Sequence, residues 1–181
     1  MSRYRRADAP GATYFFTVVT YHRQPILCEP LVREALRNAI HEVRTKRPFM
    51  VDAWVLLPDH LHCLWTLPPG DADFASRWSL IKRRVSMACG KQFRQESWIT
   101  ASKKKHREST VWQRRFWEHQ IRDESDMQRH VEYVHYNPVK HSLCRNPQDW
   151  PYSTIHRYIK TGIVPANWGG NDAAMDGNFG E

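Results

Sequence analysis

Two rhythms of apolar residues run along this 181-residue chain, one of period two and one near 3.6. Residues 13–21, aromatic and β-branched throughout and preceded by Pro10-Gly11, predict a strand. From Leu31 to Arg44 the apolar positions Leu31, Ala35, Leu36, Ala39, Ile40 and Val43 give helical spacing with a polar back, closed by Arg47-Pro48. Phe49 to Leu57 and His60 to Leu67 predict two strands joined as a hairpin across Pro58-Asp59, and Pro68-Pro69-Gly70-Asp71 ends the second. Helical spacing returns from Phe74 to Phe93 through Trp78, Ile81, Val85 and Ala88. Residues 95–110 read as a loop holding Lys103-Lys104-Lys105, and Val111 to His119 as a fourth strand. A helix follows from about Ser125 to His135, with Ser125 and Gln128 as its capping box and Pro138 limiting its end. A short helical segment is expected over Tyr152 to Lys160.

The succession β-α-β-β-α-β plus one further helix predicts an α+β, ferredoxin-like antiparallel sheet, with the extra helix added after the fourth strand. No repeat or linker divides the chain, so residues 1–166 are expected to form one domain and 167–181 a disordered Gly/Asn/Asp-rich tail. With 41% hydrophobic residues, including 8 Trp, 7 Tyr and 7 Phe, the composition supports a sizeable core and excludes disorder throughout. Charge changes the picture more. The net charge is +8, and residues 165–181 carry Asp172, Asp176, Glu181 and no Lys or Arg, which leaves +11 on residues 1–164. Such a chain expects a polyanionic partner, nucleic acid before anionic membrane. Cys28, Cys63, Cys89 and Cys144 form no Cys-x-x-Cys pair, and no apolar run reaches the length of a signal peptide or membrane span. A reduced, cytoplasmic setting follows.

Candidate chemistry gathers at two places. In a strand His60 and His62 share one face, while Leu61, Cys63, Trp65 and Leu67 share the other. Their α-carbons are about 6.6–7 Å apart, so both imidazoles can tilt onto one divalent ion; two surface histidines on a half-buried strand fit the pattern as well. On the last long helix Met127, Val131 and Val134 form the stripe expected to pack on the sheet, and His130, Tyr133 and Asn137 a polar stripe beside it. If that helix crosses near the His-x-His strand, His60, His62 and the Asn137 oxygen can share a metal with Tyr133 alongside. Packing tyrosines are the plain alternative.

With these residues in view, the chain resembles the His-hydrophobic-His (HUH) single-tyrosine nucleases, and among them the REP-associated tyrosine transposases. The resemblance covers about residues 3–169. It rests on Pro58-Asp59-His60-Leu61-His62, Tyr4-Arg5-Arg6, Trp54-Val55-Leu56-Leu57-Pro58, Trp65-Thr66-Leu67-Pro68, Arg115-Phe116-Trp117-Glu118-His119, Tyr136-Asn137-Pro138-Val139-Lys140-His141 and Asp149-Trp150-Pro151-Tyr152-Ser153-Thr154. It implies that Tyr133 is the nucleophile, that His60, His62 and Asn137 hold Mg²⁺ or Mn²⁺, and that the substrate is single-stranded DNA at REP hairpins. It also implies transesterification through a 5′-phosphotyrosine link, and a monomer rather than a dimer. The residue types suit that chemistry, because a tyrosine of pKa near 10 is a poor nucleophile unaided and a cation on the phosphate offsets its developing charge.

For DNA contact Arg3, Tyr4, Arg5 and Arg6 are the first candidates, since arginine can grip a base edge or a phosphate with two bonds. Lys82, Arg83, Arg84, Arg114 and Arg115 are expected to touch the backbone; Trp112 and Trp117 suit either base stacking or the core. A zinc hydrolase using the His-x-His pair and a non-catalytic hairpin-binding protein remain as alternatives.

Overall fold

The computed structural model describes residues 9–106 and 108–169 of the chain. β1 spans Thr13–Val19, and α1, with Pro30 in its first turn where a missing N–H does no harm, spans Pro30–Lys46. β2 (Met50–Leu56) and β3 (His60–Thr66) form the expected hairpin, tied by Leu57 N–H donating to the His60 carbonyl at 2.9 Å. α2 (Phe74–Phe93) starts at Asp73, whose carboxylate accepts from Ser76 N–H. A short α3 (Ala101–Lys105), β4 (Trp117–Gln120), α4 (Glu124–Lys140) and α5 (Ile155–Lys160) complete the chain.

The strands pair antiparallel in the order β2-β3-β1-β4. This is the ferredoxin-like order expected from the sequence. One face of the sheet presents Tyr14, Phe16, Val18, Leu61, Cys63 and Trp65 to α1 and α2, where Trp65 stacks on Trp78 at 4.2 Å between centroids. The other face presents Phe15, Val55 and Leu64 to Tyr133 and Val134 of α4. Covered on both sides, β3 is buried from its first residue to its sixth. Arg77, only 1% exposed, fastens the start of α2: it donates to the Asp71 carboxylate at 2.6 and 3.1 Å and to the carbonyls of Arg47, Pro48 and Asp73. All four cysteines are free thiols, and among the described residues no helix is long and apolar enough to cross a membrane.

Four expectations change. The fourth strand is split: Trp112 bridges Thr20, Trp117 pairs with Thr17, and two surplus residues bulge between these pairings. The bulge carries Arg114 and Arg115 outward and turns the Gln113 and Arg114 carbonyls to the Lys82 ammonium. Residues 95–110 are not a plain loop but hold a 3₁₀ turn at Glu96–Trp98 as well as α3, whose first turn is capped by Thr100. α4 begins under Asp123, which accepts from Asp126 N–H, instead of the Ser125 capping box. It also runs through Pro138, because a proline this close to the end forfeits one bond, and His141 and Leu143 N–H close the turn on the Asn137 and Pro138 carbonyls. Arg3, Tyr4, Arg5 and Arg6 and the tail from 170 onward lie outside the described residues.

Candidate active site

β3 enters the sheet opposite the end of β1, with His60 facing Val19 and His62 facing Thr17. The two imidazoles are 4.9 Å apart between centroids and only 2% and 0% exposed, so the pair is a core feature rather than a solvated one. Each has one nitrogen fixed. His60 Nδ1 donates to Asp59 Oδ1 at 2.7 Å, and His62 Nδ1 meets Thr17 Oγ1 at 2.9 Å. Burial pushes the Asp59 carboxyl up, but the hydrogen bonds from His60 and Arg23 outweigh it and hold the group at about 2. It is therefore a carboxylate, and His60 must carry its proton on Nδ1. Arg23 reaches Asp59 at 2.9 Å from a backbone in the left-handed region (φ 51°), directly after His22 at φ 53°. Two such non-glycine residues in a row cost about 1–2 kcal/mol each, which the Tyr21–Arg23 turn sustains through its surroundings.

α4 lies across this face. The Tyr133 ring sits 5.2 Å from that of His62 and 6.0 Å from Phe15, and it is fully buried. Two turns on, His141 comes 5.0 Å from His60. Asn137, also fully buried, stands midway between them on the same side of the helix. The polar stripe His130, Tyr133 and Asn137 is thus turned inward, whereas Met127 and Val131 are only half-buried. Val134 is fully buried and Met127 and Val131 pack at the rim of the same cluster, so the apolar stripe lies on the sheet as expected. The polar stripe is buried beside it, because the strand beneath offers imidazoles as well as apolar side chains. The Lys140 ammonium donates to Tyr133 Oη at 3.2 Å and lies 4.8 Å from the ring centre. Two paired imidazoles beside a phenol, with a buried primary amide one helical turn beyond it, offer nitrogen and oxygen donors of the kind that fits a small divalent cation that also binds phosphate.

A family model described as "Transposase IS200 like" matches residues 9–137, from ahead of β1 to Asn137. The chain belongs to this family. It is 43% identical over 171 residues to the REP-associated tyrosine transposase of Escherichia coli (strain K12), covering 94% of this chain and 93% of the relative. It superposes with a TM-score of 0.83 and 42% identity on a solved structure of a REP-associated tyrosine transposase bound to a REP hairpin, covering 100% of this chain and 98% of that one. The chain is accordingly an enzyme of the tyrosine transposase class, which cuts and rejoins DNA.

In this IS200-like transposase the expected DNA contacts divide. Lys82, Arg83, Arg114 and Arg115 line a groove of about 890 Å³ between α2 and residues 108–116, with Arg114 Nε 3.3 Å from Glu108. Arg84 is held by Glu42 of α1 at 2.8 Å and is not among the groove's lining residues. Trp112 is a core residue, whereas Trp117 packs on Phe15 on the α4 face. Lys103 is buried over the Tyr21 ring, its Nζ 3.8 Å from the centre, so the basic run is only partly solvated.

A second cluster, His119, Asp126 and His130, holds its ligand-type atoms within 4.8 Å of one another. Asp126 is already engaged by His119 at 2.8 Å, by Arg122 N–H at 3.0 Å and by Arg129 at 3.3 Å. A carboxylate so placed clamps β4 to the first turn of α4. Sequence reasoning missed Asp59, Thr17, Arg23, Lys140 and His141 as companions of the site. Lys140 had a signal, lying seven residues, two helical turns, beyond Tyr133.

Proposed function

We propose that this transposase cuts and rejoins single-stranded DNA at REP hairpins with Tyr133 as nucleophile. The observation that carries the reading is the Tyr133 ring set 5.2 Å from His62, itself 4.9 Å from His60, all three buried on one face of one chain. That the relative of TM-score 0.83 is bound to a REP hairpin supports the substrate. His60, His62 and Asn137 would hold Mg²⁺ or Mn²⁺, which when bound polarises the scissile phosphate as a Lewis acid.

The chain's own residues do the rest. Asp59 and Thr17 fix the imidazole rings through Nδ1, so that ligation falls to Nε2. Tyr133 Oη attacks phosphorus, the bond to the 3′ oxygen breaks, and a 3′-hydroxyl leaves while the 5′ side stays on the tyrosine. The Lys140 ammonium at 3.2 Å stabilises the charge on the phenol oxygen as its proton departs. Attack of a 3′-hydroxyl on the same phosphorus reverses the sequence and frees Tyr133, with one phosphoester exchanged for another and no ATP consumed. With His60, His62 and Tyr133 brought together within one chain, we take a monomer as the acting unit. On this reading the protein would act in the cytoplasm, on the nucleoid when bound to DNA.

The test is a denaturing gel of wild-type protein with a 3′-labelled single-stranded hairpin in Mg²⁺ or Mn²⁺. A labelled covalent adduct is expected. Its absence with every divalent metal refutes the nucleophile assignment and favours a hairpin-binding protein.

A further inference from the structure

A second groove, about 480 Å³, runs along the outer edge of β2, on the α1 side of the sheet. One wall is α1, which contributes Arg33, Arg37, His41 and Arg44, spaced four, four and three residues apart and hence on one helix face. The other is β2 itself, with Trp54, and the segment 151–154. That segment is stitched onto the β2 edge by a Val55–Ser153 bridge, by Leu56 N–H to the Tyr152 carbonyl and by Thr154 Oγ1 on the Trp54 backbone. The groove's lining includes three arginines and a histidine but no carboxylate, unlike the larger groove over α2, where Glu108 offsets Arg114.

Two of the cations are held in place. Arg33 donates Nε to the Cys28 carbonyl and lies over the Tyr152 ring at 4.6 Å, and Arg44 donates Nε to the Phe49 carbonyl. Fixed guanidinium groups opposite the aromatic side chains Trp54 and Tyr152 suit a phosphodiester chain whose bases are free to stack. A paired stem would keep its bases from those rings, so a single strand is the occupant the chemistry favours. The Arg33 end of the groove lies beside Leu56, which pairs with Leu61 between the two histidines. The groove and Leu61 are on the α1 side and the histidines on the α4 side, so a strand lying in the groove would have to turn around the edge of the sheet to reach them.

We propose that this groove binds the single-stranded DNA flanking the hairpin and leads it toward the His60–His62 strand. The proposal rests on the reading of the chain as a hairpin-cutting transposase. It also gives the Pro151-Tyr152-Ser153-Thr154 stretch a role: these residues build the groove's outer wall.

Fluorescence anisotropy of the full chain tests it, using a labelled DNA hairpin with a flank of about ten nucleotides and the same hairpin without the flank. Arg37→Ala/Arg44→Ala should weaken binding of the flanked hairpin about tenfold and lower the slope of log affinity against log salt by about 1.4, two phosphates at roughly 0.7 each. The unflanked hairpin should bind as before. Tyr152→Leu should weaken the flanked hairpin without changing the slope. Should the double variant melt well below wild type, Arg37→Ala alone carries the test, with half the change in slope. Equal losses for both hairpins, no loss for either, or a single-stranded RNA of the flank sequence outcompeting the DNA would each overturn the proposal. Adduct formation by the same wild-type preparation reports separately on Tyr133, so flank-dependent binding without an adduct strikes the nucleophile and leaves the groove.

Discussion

Replacing Tyr133 by phenylalanine separates what the ring does for the fold from what its oxygen does for the reaction. The ring is fully buried between Phe15 and His62, and a phenylalanine ring in its place would keep both contacts. Only Oη is lost, and Lys140, which donates to it, is an exposed residue whose ammonium water can take over. The cost is that of one hydrogen bond, about 0.5–1.5 kcal/mol, or roughly 1–6 °C in Tm for a chain of this size. Tyr133→Ala instead empties the ring's place in the core, at about 3–5 kcal/mol and roughly 6–20 °C. Tyr133→Phe should therefore fold, bind a hairpin within about twofold of wild type, and give no covalent adduct on a denaturing gel, because the affinity resides in phosphate and base contacts. An undiminished adduct from Tyr133→Phe would refute the reasoning, since another side chain would then be the nucleophile. A loss of DNA binding equal to the loss of cleavage would make Tyr133 a packing residue.

Lys140→Met should slow single-turnover cleavage about tenfold, one charge-assisted bond, with hairpin affinity unchanged, and Lys140→Arg should restore most of the rate. Lost affinity with normal cleavage per bound complex would instead make Lys140 a phosphate contact. Asp59→Asn should weaken Mn²⁺ binding about 10- to 100-fold by calorimetry, the usual cost of disturbing a histidine's supporting carboxylate, and an unchanged isotherm would contradict the role given to that contact. Arg77→Met should lower Tm by about 6–12 °C, since about 3 kcal/mol of buried hydrogen bonds and ion pairing goes with the guanidinium; a shift under 2 °C, below about 1 kcal/mol, would show the network to be idle. The Arg77 hydrogen bond also holds the Asp71 carboxyl below its usual 3.8, so its contribution to stability is present above that pH and disappears as pH falls below it. Urea melts from pH 6 to 3 should decline less steeply for Asp71→Asn, and parallel declines would show that the pair does not govern acid stability.

The sheet's first three strands and both helices on its α1–α2 face were legible because their apolar spacing matches the period each element needs. Strand four was harder. Val111 to His119 has strand composition, but a bulge at Arg114 and Arg115 is set by where Thr17 and Thr20 accept partners, which lies about a hundred residues upstream. His60, His62, Tyr133 and Asn137 could be picked out by spacing and resemblance, yet their burial could not. Whether a polar stripe faces water or a strand depends on what the strand offers, and here it offers two imidazoles. Lys140 keeps the helical spacing from Tyr133, but it and His141 stand past Pro138, which reads as a stop although the helix carries it in its last turn. Arg23 was invisible for a different reason: its reach to Asp59 depends on a left-handed backbone that no local residue preference announces.

The burial of Tyr133 has a bearing on how the enzyme tells one DNA from another. If Tyr133 is the nucleophile, as proposed, its ring and both histidines at 0–2% exposure mean that phosphorus would reach Oη through an opened form of the protein. Uncovering one large aromatic ring costs about 1.5–3 kcal/mol, so that form amounts to roughly one molecule in ten to one in two hundred before DNA arrives. Every strand pays this same toll in apparent affinity, and only a substrate with enough specific contacts elsewhere makes up the deficit. On the proposed reading, a nucleophile kept out of sight would thus hold back all strands alike and leave the choice among them to contacts made elsewhere.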